Sequence, residues 1–230
     1  MRGITRQALR RMDLQSQSWE YASEMVLRSV RMDLKTTEVP VRFYKDRNGR
    51  LSHHKRSGWL SPWKAGWINL KAMFIYGADF FLFRPGLLLL MVGLLLTLPM
   101  TFGPITIGPI AFSLYWMLFG LTLSVLGLHG FYVGCLVRVF FDYNGRDTRL
   151  WLRIFSYTQS VVASAIALVV GTGLTAPLIR EYIRSGLRLP ADIFPANHLA
   201  VTGLLFLIGG CMNFTFTLAL HAARVNVKRR

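Results

Sequence analysis

Four apolar segments, each long enough to cross a bilayer, follow a basic block that fills the first 84 positions. About 20 apolar residues are needed to span the hydrocarbon core. The segments read 85–103, 110–136, 157–178 and 198–222. Sixteen of the chain's 27 Lys and Arg residues lie in the basic block. The pattern therefore predicts a mainly α membrane protein with a cationic head. The hydrophobic fraction of 53% agrees, as does the mean hydropathy of +0.38.

Basic loops stay on the cytoplasmic side. Four spans return the chain to the side on which it began, so head, second loop and tail (223–230) are all expected to be cytoplasmic. The third loop fits this rule least, with Arg180, Arg184 and Arg188 against Glu181 and Asp192. No apolar leader opens the chain, since the first long apolar run begins near Pro85. The expected location is a multi-pass place in a bacterial cytoplasmic membrane. A net charge of +16 beside apolar spans points to anionic lipid headgroups or phosphate-bearing substrates, and not to nucleic acid.

Local patterns divide the head. Glu20–Met32 has helical spacing, with Tyr21, Met25 and Ser29 or Val30 on one face. Thr37–Tyr44 alternates, placing Val39, Val41 and Phe43 on one side of a strand, and Pro40 makes that an edge strand. Ser61-Pro62 resembles an N-cap followed by proline at the first helical position. From there Trp63, Trp67, Leu70, Phe74 and Phe81 form a stripe flanked by Lys64 and Lys71. Tryptophan favours the headgroup level, so 61–84 reads as an interfacial amphipathic helix. The competing reading packs the stripe on the head's own core. One helix and one unpaired strand in 1–60 bury too little surface to stand alone, as if the head began within a domain.

Chemistry-bearing residues are sparse in the spans. His129 reads as a helix-contact residue or, less readily, a proton relay; Asn213, Thr215 and Thr217 read as interhelical donors. Gly209-Gly210 reads as a packing signal. Cys135 and Cys211 read as small core residues, with no disulfide or metal spacing. In the head, Lys45, Arg47, Arg50, His53, His54, Lys55 and Arg56 crowd one loop. It is either a phosphate-facing loop, which Arg forks and Lys point charges suit, or a solvated charge run near anionic lipid. The adjacent pair His53-His54 does not read as a metal site.

A resemblance adds to this reading. Met1-Arg-Gly-Ile-Thr-Arg6, Tyr21-Ala-Ser-Glu-Met25, Glu38-Val-Pro-Val41, Asp46-Arg-Asn-Gly-Arg50 with Ser52, and Ser61-Pro-Trp-Lys-Ala-Gly-Trp67 occur in that order. Together they resemble the end of the catalytic domain in glycosyltransferase family 2, most of all dolichol-phosphate mannose synthase and bacterial polyprenyl-phosphate sugar synthases. The likeness covers residues 1–84. It implies that 1–60 is the C-terminal remnant of a GT-A-type α/β domain, ahead of the interfacial helix and the four transmembrane helices of 85–222. It also implies transfer of a sugar from a nucleotide sugar to a polyprenyl phosphate beside the membrane, with Mg2+ or Mn2+ in a complete member. By position, Arg47 and Ser52 would contact phosphate, with Arg50, His53, His54, Arg2 and Arg6 as further candidates. Glu24 stands where the family has a helical acid; its other reading is an ion pair with Arg28.

The family's nucleotide-binding half and its Asp-x-Asp metal motif have no counterpart here; no Asp-x-Asp occurs in the chain. The expectation is therefore the C-terminal portion of such an enzyme, binding nucleotide sugar only when completed by the missing half. The alternative is a non-catalytic module that binds polyprenyl phosphate or a partner subunit. A flippase for lipid-linked sugars fits less well, because the spans offer no charged path.

Overall fold

The computed structural model describes residues 3–16, 20–42, 59–188 and 196–227. Two compact units divide the chain, Met1–Ala78 and Asp79–Arg230.

Among its described residues the first unit has three helices. Helix α1 (Arg6–Met12) is capped by the Thr5 side chain, which accepts from Ala8 N–H, and it ends at Asp13 in left-handed geometry, φ 45°. Helix α2 (Tyr21–Arg31) forms where sequence spacing predicts it. It closes with Asp33 at positive φ and Leu34 N–H bonded to Ser29 C=O at 3.0 Å, the paired carbonyl closure of a Schellman end. Helix α3 (Ser61–Tyr76) has Leu60 at its N-cap, so Pro62 lies one position later than expected.

One expectation for this unit fails. The strand over Thr37–Tyr44 does not form through residue 42, and 43–44 lie outside the described residues. An alternating segment without a partner has no ladder to join. Helix α2 turns a largely polar face inward. Glu24, Arg28 and Ser29 are buried, while Tyr21 and Val30 are exposed.

The interfacial helix also ends earlier than 84. Gly77 closes α3 by donating to Met73 C=O, and α4 (Ala78–Thr97) starts at the next residue. Phe81 and Arg84 therefore belong to α4. Asp79 suits the positive end of that helix. Pro85 is inside α4 rather than at its start.

Beyond α4, a 3-10 turn (Pro99–Phe102) leads to a hairpin of β1 (Ile105–Ile107) and β2 (Ile110–Phe112). Ile107 pairs with Ile110 across Gly108-Pro109. Then come α5 (Leu114–Phe140), α6 (Arg146–Ile154), α7 (Tyr157–Arg184) and α8 (Ala196–Val227). Among the described residues, four helical segments are long and apolar enough to cross a membrane: Ala78–Phe102, Leu114–Phe140, Tyr157–Arg184 and Ala196–Arg224. The chain is thus a mostly helical, multi-pass membrane protein. The second span begins at 114 rather than 110 because residues 110–112 pair as a strand. Leu87, Leu88, Met91 and Leu95 are exposed along α4, as lipid-facing side chains must be.

Packing in this unit relies on small residues. Gly86 and Gly93 on α4 recur at seven-residue spacing, as do Gly120, Gly127 and Gly134 on α5. A Cβ on Gly127 would lie 2.7 Å from both Gly86 O and Leu90 Cα, and one on Gly134 would lie 2.8 Å from Phe83 Cα. Backbone thus meets backbone along the seam, the way helices associate where lipid removes the hydrophobic drive. Gly171 on α7 and Gly203 on α8 make a similar close approach. Of the expected pair, Gly210 packs against α7, while Gly209 has only an ordinary contact.

Larger side chains cluster at two places. Cys135, Val139, Trp151, Phe216, Leu220 and Ala223 form one cluster, in which Tyr132 stacks on Phe216 at 4.3 Å. Met100, Met117 and Val201 form the other. Asn213 joins three helices: it accepts from Tyr132 O–H at 2.9 Å and donates to Ser160 C=O at 3.0 Å and Ser164 Oγ at 2.8 Å. Thr215 and Thr217 bond instead to carbonyls of their own helix, so of the three expected donors only Asn213 works between helices. Cys211 and His129 are exposed, so within this chain neither is the contact residue that the sequence suggested.

Candidate functional site

The first unit contains a groove of about 560 Å3. Its lining is Gln15, Ser16, Glu20, Ile68, Lys71, Ala72, Ile75 and Tyr76. The segment after α1 supplies one wall and α3 the other. Along α3, Ile68, Ala72 and Ile75 recur at helical spacing, which puts them on one face with Lys71 beside them.

The first wall is positioned by charge. Glu24 is 0% exposed and accepts from Gln15 N–H at 3.1 Å and Ser16 N–H at 2.8 Å. Its other partner is Arg28, one helical turn on, at 2.8 Å. Arg28 donates in turn to the carbonyls of Met12 and Asp13, the latter at 2.6 Å. The pair therefore clamps residues 12–16, the start of the α1–α2 connection. Burial opposes ionisation of Glu24, but hydrogen bonds from Ser16 and Gln15 and the charge of Arg28 outweigh it and hold the carboxyl below its ordinary value.

Glu24 is consequently enclosed behind the groove and positions two of its residues. Of its two sequence readings, the ion pair with Arg28 is the one the structure forms. Across the groove, Ser16 Oγ and Tyr76 O–H lie 3.4 Å apart, and Arg28 stands 5.8 Å from the centre of the Tyr76 ring.

Two charged groups line the groove itself. The Glu20 Oε2 atom is buried with no hydrogen-bond partner among the described residues. Lys71 is largely exposed. One ammonium, one carboxylate and two hydroxyls thus stand beside an apolar wall. Ser16, Glu20 and Tyr76 had not been singled out from the sequence. Nothing in their spacing marks them, because they meet only through the clamp.

The remaining candidates are distributed as follows. Arg6 is exposed at the start of α1. Trp63 and Trp67 are 76% and 62% exposed, and Lys64 is exposed beside them. With Leu70 and Phe74 also exposed, the aromatic stripe does not pack on the unit's own core. Arg2, Arg47, Arg50, Ser52, His53 and His54 lie outside the described residues.

A second charged group occurs where α5 meets α6. Arg138 stands 3.7 Å from Asp79 and 4.1 Å from the Phe83 ring centre. Asp142 accepts from Thr148 N–H at 2.7 Å and Asn144 N–H at 3.3 Å, closing the turn into α6. Burial pushes the Asp147 carboxyl up, against the pull of Arg138. These bonds hold the turn together. Among the described residues no three His, Cys, Asp or Glu side chains come together as metal donors.

Compared with known proteins, the chain matches no family model, no curated protein and no solved structure.

Proposed function

We propose that this chain is the membrane-bound portion of a glycosyltransferase that passes a sugar from a nucleotide sugar to a polyprenyl phosphate. The single observation that carries the reading is the ordered motif set of residues 1–67, ending one helix before a bilayer-length segment. The groove adds support. Its Lys71 suits an acceptor phosphate, and Ile68, Ala72 and Ile75 suit the first isoprene units. The exposed Trp63, Trp67 and Lys64 suit a headgroup layer. On this reading residues 1–60 are the end of a GT-A-type domain, and both termini face the cytoplasm of a bacterial cell.

The chemistry asks little of a base. In the transfer, the bond from the anomeric carbon to the nucleotide's phosphate oxygen breaks, and a bond to the acceptor's phosphate oxygen forms. That oxygen is already anionic at neutral pH, so holding it in place is the main contribution from this chain. Arg47 and Ser52 are assigned to phosphate contact by motif position, with Arg2, Arg6, Arg50, His53 and His54 as further candidates.

The test is sugar transfer to polyprenyl phosphate by the protein in its own membranes, supplied with nucleotide sugars. Arg47→Ala should lower transfer at least about a hundredfold, the scale of losing a charge-stabilising contact, with membrane insertion intact. Unchanged transfer would remove the assignment of Arg47. The absence of Asp-x-Asp favours a second reading, a non-catalytic module that binds polyprenyl phosphate for a partner. Binding of polyprenyl phosphate with no affinity for nucleotide sugar would select it.

A further inference from the structure

The third loop, least in keeping with the charge rule, borders a second groove. It measures about 440 Å3 and is lined by Thr172, Ala176, Ile179, Arg180, Ile183 and Arg184, all on α7. Thr172, Ala176, Arg180 and Arg184 recur every fourth residue, so they run up one face of the helix. From Thr172 to Arg184 that face measures about 18 Å at the helical rise.

Depth follows from length. Helix α7 has 28 residues, whereas about 20 cross the hydrocarbon. Counted from Tyr157, the apolar layer ends near Ala176. The lower part of the groove therefore faces acyl chains, and its upper part faces headgroups. Arg180 and Arg184 are exposed, and among the described residues neither has an ion pair. Arginines in a last turn also suit the helix dipole, but the dipole does not account for the apolar groove beneath them.

We infer that this groove is a binding site for one anionic phospholipid. Its phosphate is held between Arg180 and Arg184, and an acyl chain lies along Ile179 and Ala176 toward Thr172. Guanidinium forks match phosphate oxygens. A soluble phosphate ligand would leave the apolar floor empty. Two of the three arginines, Arg180 and Arg184, are then explained by the lipid they retain, and the inference does not depend on sugar transfer.

The full chain is placed in nanodiscs of phosphatidylcholine doped with phosphatidylglycerol, and retained lipid is read by native mass spectrometry. Phosphatidylglycerol should be retained in preference. Arg180→Gln with Arg184→Gln should cut that retention roughly tenfold or more, given the attraction of each basic residue for an anionic surface. Ala176→Trp, which fills the groove and removes no charge, should also cut it. Arg149→Gln with Arg153→Gln on α6, both exposed, should leave it unchanged. Equal retention of the two lipids would overturn the site. So would equal losses in the two arginine pairs, no loss in Ala176→Trp, or displacement of the lipid by soluble glycerol phosphate.

Discussion

The two units are held together by opposite means. In the first, the most buried side chains of α2 are a carboxylate and a guanidinium, and their bonds run to backbone that would otherwise be loose. In the second, charge is nearly absent from the helix seams, and backbone packs on backbone at glycine. The difference follows from the solvent each region meets. A small unit in water has little apolar surface to bury, so a satisfied buried network specifies its fold. Helices in lipid gain nothing by burying leucine and gain instead by close approach.

Removing one member of the clamp should produce the largest effect. Glu24→Ala leaves Arg28 buried without its partner, which costs about 3–5 kcal/mol. Limited proteolysis with mass mapping should then cut the connection around residues 13–16 while the spans stay intact. Replacing both residues, Glu24→Met with Arg28→Leu, should recover part of the protection, because an apolar pair leaves no stranded charge. Acid acts on the same bonds. A carboxyl held below its ordinary value gives stability that is present above the unfolded value, about 4.3 for Glu. That stability is lost as pH falls through the lower folded value. Amide exchange at Gln15 and Ser16 should rise over that interval, with the bundle amides as the internal reference.

The seam of the second unit should respond to added volume. Gly127→Ala pushes a methyl against α4 backbone, and overpacking costs about 1–3 kcal/mol. Thermal unfolding in detergent should show the loss, while the acid response at Gln15 and Ser16 stays as before. A mutant that loosened both units together would show that they are not separate in stability.

Much of this contrast could be read before any coordinates. The spacing over Glu20–Met32 gave α2 to within a residue at each end, and the four apolar runs gave the spans to within several. Hydrophobic periodicity assumes that the apolar side faces in, so it does not reveal the polar inward face of α2. Here Glu24 and Arg28 are inward because they bond to a segment eight to sixteen positions away, which no local pattern records. The hairpin of 105–112 was hidden for a related reason. Ile110–Phe112 is as apolar as the span that follows, and a short apolar run does not separate strand from helix. The glycine seam was legible in principle, since both α4 and α5 repeat glycine at seven-residue spacing, a period that keeps one face toward a neighbour. Ser16, Glu20 and Tyr76 were not legible, because they are brought together by folding alone.

The central claim is that the groove of the first unit receives an isoprenoid phosphate. A photoreactive polyprenyl phosphate, added to the full chain in nanodiscs, tests it most directly when the labelled residues are mapped by mass spectrometry. The account predicts label on α3 near Ile68 and Ile75, reduced severalfold by Lys71→Gln as one anionic contact is lost. Label spread over the lipid-facing sides of the spans, indifferent to Lys71, would contradict it.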